Sequence, residues 1–136
     1  MSTTSTLVYL GELRLQNTHT KSGVSIETVA PVDNHGKGDT FSPTDLLATS
    51  LASCILTIIG IKANSMDLPL RDAKATVVKV MGSSPRRVSE VIIDILLPSE
   101  VEGNDQKILE AAGRACPVAK SLHPDLIQNI TFNWNL

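Results

Sequence analysis

The segment that decides the fold is FSPTDLLATSLASCILTIIGIKANSM, residues 41–66. Within it, Ser42 followed by Pro43 and Asp45 is typical of a helix start, with serine as the N-cap, proline at the first helical position and aspartate as the acidic partner of a capping box. The pattern predicts a helix from Pro43 to about Met66. Such a helix would be roughly 35 Å long at about 1.5 Å per residue.

Apolar residues lie on nearly every face of this helix between Leu46 and Ile61, and Lys62 is its first basic residue. A helix that is apolar all round has to be covered all round. A chain of 136 residues fits one ordinary domain, with little room for a second core. Because such a domain cannot easily surround the helix, we expect a second subunit to cover part of it.

The composition excludes several classes of function. Hydrophobic residues make up 42% and charged residues 19%, as in globular proteins. A net charge of −2 and an aromatic content of 3% argue against a nucleic-acid partner, which needs a basic surface or aromatic side chains that stack on bases. Residues 1–10 lack the pattern of a secretory signal, and the apolar stretch 46–61 is shorter than the roughly 20 residues of a membrane span. We therefore expect a cytoplasmic protein with no membrane partner, in which the two cysteines stay reduced.

Strand-like and helical patterns surround the long helix. Strands are predicted at residues 6–16, 24–30, 73–81, 88–97 and 127–134. A second helix is expected to start at a cap formed by Asp105 and to run towards Ala115. The order of strands, helix, strands, helix and strand predicts an α+β fold rather than a doubly wound sheet.

The two cysteines are the first candidates for chemistry. Cys54 lies inside the long apolar helix, where a cysteine is most often a buried small hydrophobe. Cys116 precedes Pro117, and proline disfavours the helical conformation of the residue before it, so Cys116 could begin a fresh helical turn. A helix start stabilises a thiolate. Local physics therefore favours Cys116 as the more acidic thiol, whereas Cys54 needs a cation from elsewhere in the fold.

Arg14 is the most suggestive cation, because it lies in an otherwise apolar, strand-like run; the alternative is a solvated arginine on an outer face. His19, His35 and His123 are scattered, and no pair of them has the spacing of metal ligands. The sequence also lacks a phosphate-binding loop, a serine-nucleophile turn and a C-x-x-C motif. We therefore expect no metal and no cofactor.

Two segments resemble proteins of the OsmC/Ohr family. Residues 41–54 resemble the family's Pro-x-x-Leu helix start with a cysteine eleven residues after the proline, and Cys116-Pro117-Val118 resembles its second cysteine motif. The order of elements also matches over nearly the whole chain. The resemblance implies a single OsmC-like domain over residues 1–136, in which antiparallel sheets pack around a long buried central helix, and an intertwined homodimer.

The resemblance also implies roles for individual residues. Cys54 would be the peroxidatic cysteine, whose thiolate attacks the O–O bond and becomes a sulfenic acid, and Cys116 would be the resolving cysteine that condenses with it to a disulfide. An external thiol or dithiol would then reduce the pair. In the better-studied branches an arginine of the N-terminal region supports the thiolate, and Arg14 is the nearest candidate here.

One position departs from those branches. They usually carry a glutamate directly after the helix-start proline, which holds the arginine over the thiolate; this chain has Thr44 there, and the nearest carboxylate is Asp45, which the capping box also uses. The resemblance implies a thiol-dependent peroxidase that acts on organic or small hydroperoxides in oxidative-stress defence. Two alternatives stay open: an OsmC-like protein that binds a small apolar ligand without peroxidase turnover, and a structural protein with two inert thiols.

Overall fold

The computed structural model describes all 136 residues and contains six strands, three α-helices and one short 3-10 helix, Val32–Asn34. This content confirms the predicted α+β fold. The chain divides into two compact units, residues 1–46 and residues 47–136. A single OsmC-like domain over the whole chain stays a prediction.

The first unit is built on a three-stranded antiparallel sheet. Its strands are β1 (Ser5–Gly11), β2 (Arg14–His19) and β3 (Ser25–Val29), in the order β1-β2-β3. The prediction of one strand over residues 6–16 is therefore wrong, because the chain reverses at Glu12 and Leu13, which have φ angles of 54° and 64°. Two successive positive φ angles form the tight hairpin turn that matches the twist of the flanking strands.

The long helix α1 spans Pro43–Ser65, which confirms the predicted helix and its capping box. The Ser42 N–H donates to Asp45 Oδ2 over 2.9 Å, and the Asp45 N–H donates to Ser42 Oγ over 3.0 Å. These reciprocal bonds satisfy two backbone donors at the helix start. The helix ends where Asp67 adopts a positive φ of 53° and the Leu68 N–H donates back to the Ala63 carbonyl.

By length and composition alone, α1 is long and apolar enough to cross a membrane, although the apolar stretch 46–61 considered by itself is too short. A core helix of a soluble protein meets the same criterion. In the second unit the buried side chains of α1 belong to the hydrophobic core.

The second unit packs α1 against a sheet in the order β4-β5-β6. Its strands are β4 (Lys74–Gly82), β5 (Arg87–Leu96) and β6 (Ile127–Asn133). The largest side chains with no exposed surface in this core are Leu51, Ile55, Ile59, Ile93, Ile95, Leu97 and Leu109. Each contributes about 1.5–3 kcal/mol through its burial, so this core fixes the helix relative to the sheet.

The second sheet is mixed, which corrects the expectation of antiparallel sheets in this unit. β4 and β5 are antiparallel, but β6 runs parallel to β5. Parallel neighbours need a long crossover connection, and here it contains α2 (Gly103–Arg114) and α3 (Pro117–Ser121). The predicted cap at Asp105 is also wrong: α2 begins at Gly103, because the Glu102 carbonyl already accepts the Asp105 N–H at 2.9 Å.

Candidate functional site

Cys54 lies in the middle of α1 and is half-buried against the core of the second unit. The preceding residue, Ser53, is exposed, whereas the following residue, Ile55, is fully buried. Cys54 therefore lies at the boundary between the exposed and buried faces of the helix. A regular helix that is packed along one side holds this thiol in a defined position and leaves it partly accessible.

Cys116 is fully buried and is the N-cap of α3. Its backbone is extended, with φ −65° and ψ 153°, as expected for a residue before proline. Its Sγ accepts a hydrogen bond from the Ala119 N–H over 3.4 Å. The prediction that Cys116 begins a fresh helical turn is confirmed.

Cys54 and Cys116 are both free thiols, and Cys54 is among the neighbours that affect the ionisation of Cys116. The pKa of Cys116 is raised, first because burial disfavours the thiolate, and also because of the neighbouring Cys54 thiol. The Ala119 N–H acts in the opposite direction but does not offset the burial. The helix start lowers the pKa of Cys116, as expected, but burial outweighs this effect, so Cys116 is not made more acidic; the burial was not visible in the sequence.

Arg14 lies at the start of β2 in the first unit, where two carboxylates bind its guanidinium. Its Nη2 donates to both oxygens of Asp39 at 2.7 and 2.8 Å, and its Nη1 donates to Glu27 at 3.2 Å. The hydrogen bond with Asp39 is the largest cause of the raised pKa of Arg14, and Arg14 in turn lowers the pKa of Asp39. The side chain is 24% exposed, so it is a paired cation rather than a freely solvated one.

Asp45, the other predicted site residue, acts at the start of α1. Its carboxylate accepts the Ser42 N–H, and the hydroxyls of Ser42 and Thr44 lie 3.1 Å apart. The structure thus gives Asp45 a capping role on the helix that carries Cys54. The residue at the family's glutamate position, Thr44, forms part of the same local network.

Sequence reasoning missed the two carboxylates that bind Arg14. Arg14 pairs with Val29 across β2 and β3, and Glu27 lies two residues from Val29 on the same face of β3. A correct register for this hairpin would have indicated Glu27. Asp39 lies in the loop between β3 and α1, and no local pattern indicates its pairing.

No group of three or more His, Cys, Asp or Glu side chains is positioned to hold a metal ion. A cavity of about 400 Å³ lies between the β4–β5 turn and the loop before β6, with Arg87, His123 and Leu126 among its lining residues. Neither cysteine lines it.

Comparison with known proteins identifies relatives of the whole chain. A family model described as OsmC, OsmC-like protein, matches residues 36–130, a range that includes α1 and both cysteines. A search of curated proteins finds no match. The structure resembles that of a candidate osmotic stress induced and detoxification response protein from Psychrobacter arcticus 273-4, with 53% sequence identity and a TM-score of 0.93 over 97% of this chain and 96% of that one.

More distant structures share the fold. An organic hydroperoxide resistance protein OsmC from Legionella pneumophila has 17% identity and a TM-score of 0.72, over 96% of this chain and 97% of that one. An organic hydroperoxide resistance protein from Elizabethkingia anophelis has 15% identity and a TM-score of 0.75, over 99% of both chains. At these low sequence identities, the similarity shows only that the fold is shared.

Proposed function

Because the chain belongs to the OsmC-like protein family, we propose that it is a thiol-dependent peroxidase that reduces organic or small hydroperoxides. The family and its hydroperoxide resistance members support a role in the response to hydroperoxides or oxidative stress. The observation that carries the proposal is the pair of interacting free thiols, Cys54 and Cys116, in the second unit. Two free thiols that influence each other's ionisation are a suitable starting point for a thiol–disulfide cycle.

Cys54 is the proposed first attacker. Its thiol is half-buried, whereas Cys116 is fully buried and has a raised pKa, so the nucleophilic thiolate is disfavoured at Cys116. The Cys54 thiolate attacks the terminal oxygen of the hydroperoxide, an S–O bond forms and the O–O bond breaks. The alkoxide that leaves takes a proton and becomes the alcohol, and Cys54 becomes a sulfenic acid.

Cys116 then resolves the sulfenic acid. Its sulfur attacks the Cys54 sulfur, an S–S bond forms and the S–O bond breaks, and the leaving hydroxide combines with the Cys116 proton as water. Because the pKa of Cys116 is raised, the thiol keeps that proton until this step. An external thiol or dithiol next reduces the disulfide by exchange and is itself oxidised to a disulfide.

Two further residues have proposed supporting roles. Arg14 is proposed, from the family resemblance, as the cation that favours the Cys54 thiolate. Asp39 and Glu27 neutralise part of its charge, which weakens the field that it offers to a third anion. Asp45 is proposed to act indirectly, because its carboxylate caps the helix that carries Cys54.

We also propose that the protein is a cytoplasmic homodimer. Four consecutive apolar residues of β1, Leu7 to Leu10, are each more than half exposed. Successive side chains of a strand point to opposite faces of the sheet, so β1 presents apolar side chains on both faces. On α1, Leu47 and Ile61 are 37% and 61% exposed. The exposed apolar residues of β1 and those of α1 are each suited to an interaction with another molecule, and a second copy is the partner that the resemblance implies.

The second candidate function is a small-apolar-ligand-binding protein without peroxidase turnover. Thr44 at the family's glutamate position favours it, together with the engagement of Asp45 in the helix cap. This candidate predicts free thiols after peroxide treatment and retention of an apolar ligand beside Cys54.

The proposal is tested by peroxide consumption in Cys54→Ser and Cys116→Ser, with Ser50→Ala as a control at an exposed position of α1. Cys54→Ser should consume no peroxide above background. Cys116→Ser should react once and accumulate a sulfenic acid that a dimedone-type trap labels, and Ser50→Ala should behave like the wild type. Full consumption by both cysteine variants would rule out the proposal.

A further inference from the structure

Gly113 packs against α1, where it leaves no space for a side chain. It is the second-to-last residue of α2 and is buried. A Cβ atom at this position would lie 2.9 Å from Ile59 Cδ1 and 3.0 Å from Ile55 Cγ2, distances shorter than nearly all real Cβ contacts. Both isoleucines have no exposed surface, so they have little room to move away. The absence of a side chain at Gly113 therefore sets how closely the two helices pack.

On both helices, the contact between Gly113 and the two isoleucines lies close to a cysteine. On α1, Ile55 directly follows Cys54. On α2, the Gly113 carbonyl accepts the Cys116 N–H over 3.2 Å, which ties the resolving cysteine to the glycine through one hydrogen bond. A displacement of α2 at Gly113 is thus transmitted to Cys116 while Cys54 stays with α1.

The end of α2 is also tied to the sheet. The Arg114 Nη2 donates to the Ile130 carbonyl at 3.2 Å, and the guanidinium lies 5.1 Å from the centre of the Phe132 ring. These contacts hold the segment that leads into Cys116 against β6. The separation of the two sulfurs therefore depends on the packing of α2 rather than on a free loop.

We propose that Gly113 is a positioning residue for disulfide closure, because it lets α2 approach α1 closely enough to hold the Cys116 thiol against the Cys54 sulfenic acid. This inference rests on the proposed peroxidase function. A disulfide needs a sulfur–sulfur distance of about 2.05 Å and a narrow range of backbone separations. The reaction is the condensation described above, in which the S–S bond forms, the S–O bond breaks and water leaves.

The test compares Gly113→Ala with Gly60→Ala. Both substitutions replace a helical glycine by alanine, which has the higher helix propensity. A Cβ at Gly60 would meet only Leu70 Cδ2, at an ordinary 3.6 Å. At Gly113 the neighbours or the helix have to shift by a few tenths of an ångström, and small displacements of reacting groups slow a reaction by on the order of tenfold to a hundredfold.

The reduced proteins are mixed with cumene hydroperoxide and quenched at successive times, and sulfenic acid and disulfide are measured separately by mass spectrometry with a sulfenic-acid trap. Gly113→Ala should form the Cys54 sulfenic acid at the wild-type rate but close the disulfide roughly tenfold to a hundredfold more slowly. Gly60→Ala should leave both rates unchanged. A merely destabilising substitution would lower the melting temperature without separating the two rates.

A second variant guards against a folding defect. Ile59→Val removes the Cδ1 atom that an alanine at 113 would meet first, so the double variant Gly113→Ala/Ile59→Val should recover part of the closure rate. Wild-type closure in Gly113→Ala, or no recovery in the double variant, would overturn the role of Gly113. Absence of any Cys54 sulfenic acid in the wild type would instead overturn the peroxidase proposal, and the role of Gly113 with it.

Discussion

Replacement of Ser42 by alanine should lower the free energy of unfolding by about 1 kcal/mol, within roughly 0.5 to 2 kcal/mol. Ser42 is 1% exposed, and its Oγ accepts the Asp45 N–H at the first turn of α1. Alanine removes that acceptor in a place where water cannot easily replace it. The substitution leaves the opposite bond, from the Ser42 N–H to the Asp45 carboxylate, in place. The loss therefore measures the Ser42 half of the capping box together with the contact between the Ser42 and Thr44 hydroxyls.

Three further variants separate the cap from other effects. Ser42→Gly should cost only a few tenths of a kcal/mol, because glycine is also accepted at an N-cap. Asp45→Asn keeps an acceptor for the Ser42 N–H but loses the negative charge near the helix start, a cost of about 0.3–1 kcal/mol. Ser50→Ala, at an exposed position of α1, should change stability by less than about 0.5 kcal/mol.

Urea unfolding, followed by the fluorescence of Trp134, measures these differences. All variants are compared at one protein concentration, because dimer formation would make the stability depend on concentration. With a slope of about 1–3 kcal/mol per molar urea, a loss of about 1 kcal/mol moves the midpoint by roughly 0.3–1 M. A Ser42→Ala midpoint equal to that of Ser50→Ala would refute the assignment of Ser42 as the cap of α1.

Three other predictions concern individual side chains. In the native protein, Cys116 should react with iodoacetamide more slowly than Cys54, because burial raises the pKa of Cys116 and blocks access to it. Equal reaction rates of the two cysteines in the folded protein would contradict this prediction. Asp39 should titrate below the ordinary range of an aspartate, since Arg14 favours its charged form. The stability that this pair contributes is therefore present above the ordinary aspartate pKa and is lost as the pH falls through the lowered one. An NMR titration should show the Asp39 pKa returning to its ordinary range in Arg14→Gln, and an unchanged titration would argue against the pairing. Glu110→Ala should lower the free energy of unfolding by about 1 kcal/mol, because Trp134 Nε1 donates to the Glu110 carboxylate over 2.8 Å. Glu110→Gln keeps an acceptor and should lower it by less. Equal urea midpoints for the two variants would exclude a role for this bond.

The features that could be predicted from the sequence are those that depend on neighbouring residues. The capping box of Ser42 and Asp45 and the proline at position 43 decide the start of α1 through contacts that span three residues. The extended conformation of Cys116 follows in the same way from the proline after it. Such local preferences need no knowledge of the tertiary structure.

The features that could not be predicted depend on residues far apart in the chain. Burial in the core raises the pKa of Cys116, although the N–H groups at the start of α3 act to lower it. The pairing of Arg14 with Asp39 joins residues 25 positions apart, and the parallel direction of β6 depends on the path of the crossover. The turn at Glu12 and Leu13 was hidden for a different reason, since neither residue type is typical of a positive φ.

The measurement that tests the central claim most directly is the intact mass of the fully reduced protein after one equivalent of cumene hydroperoxide, with and without a sulfenic-acid trap. A two-cysteine cycle predicts the loss of two hydrogens in the wild type, as Cys54 and Cys116 form a disulfide, and a trapped sulfenic acid on Cys54 in Cys116→Ser. An unchanged mass with both thiols still free would contradict the peroxidase function and favour the ligand-binding alternative.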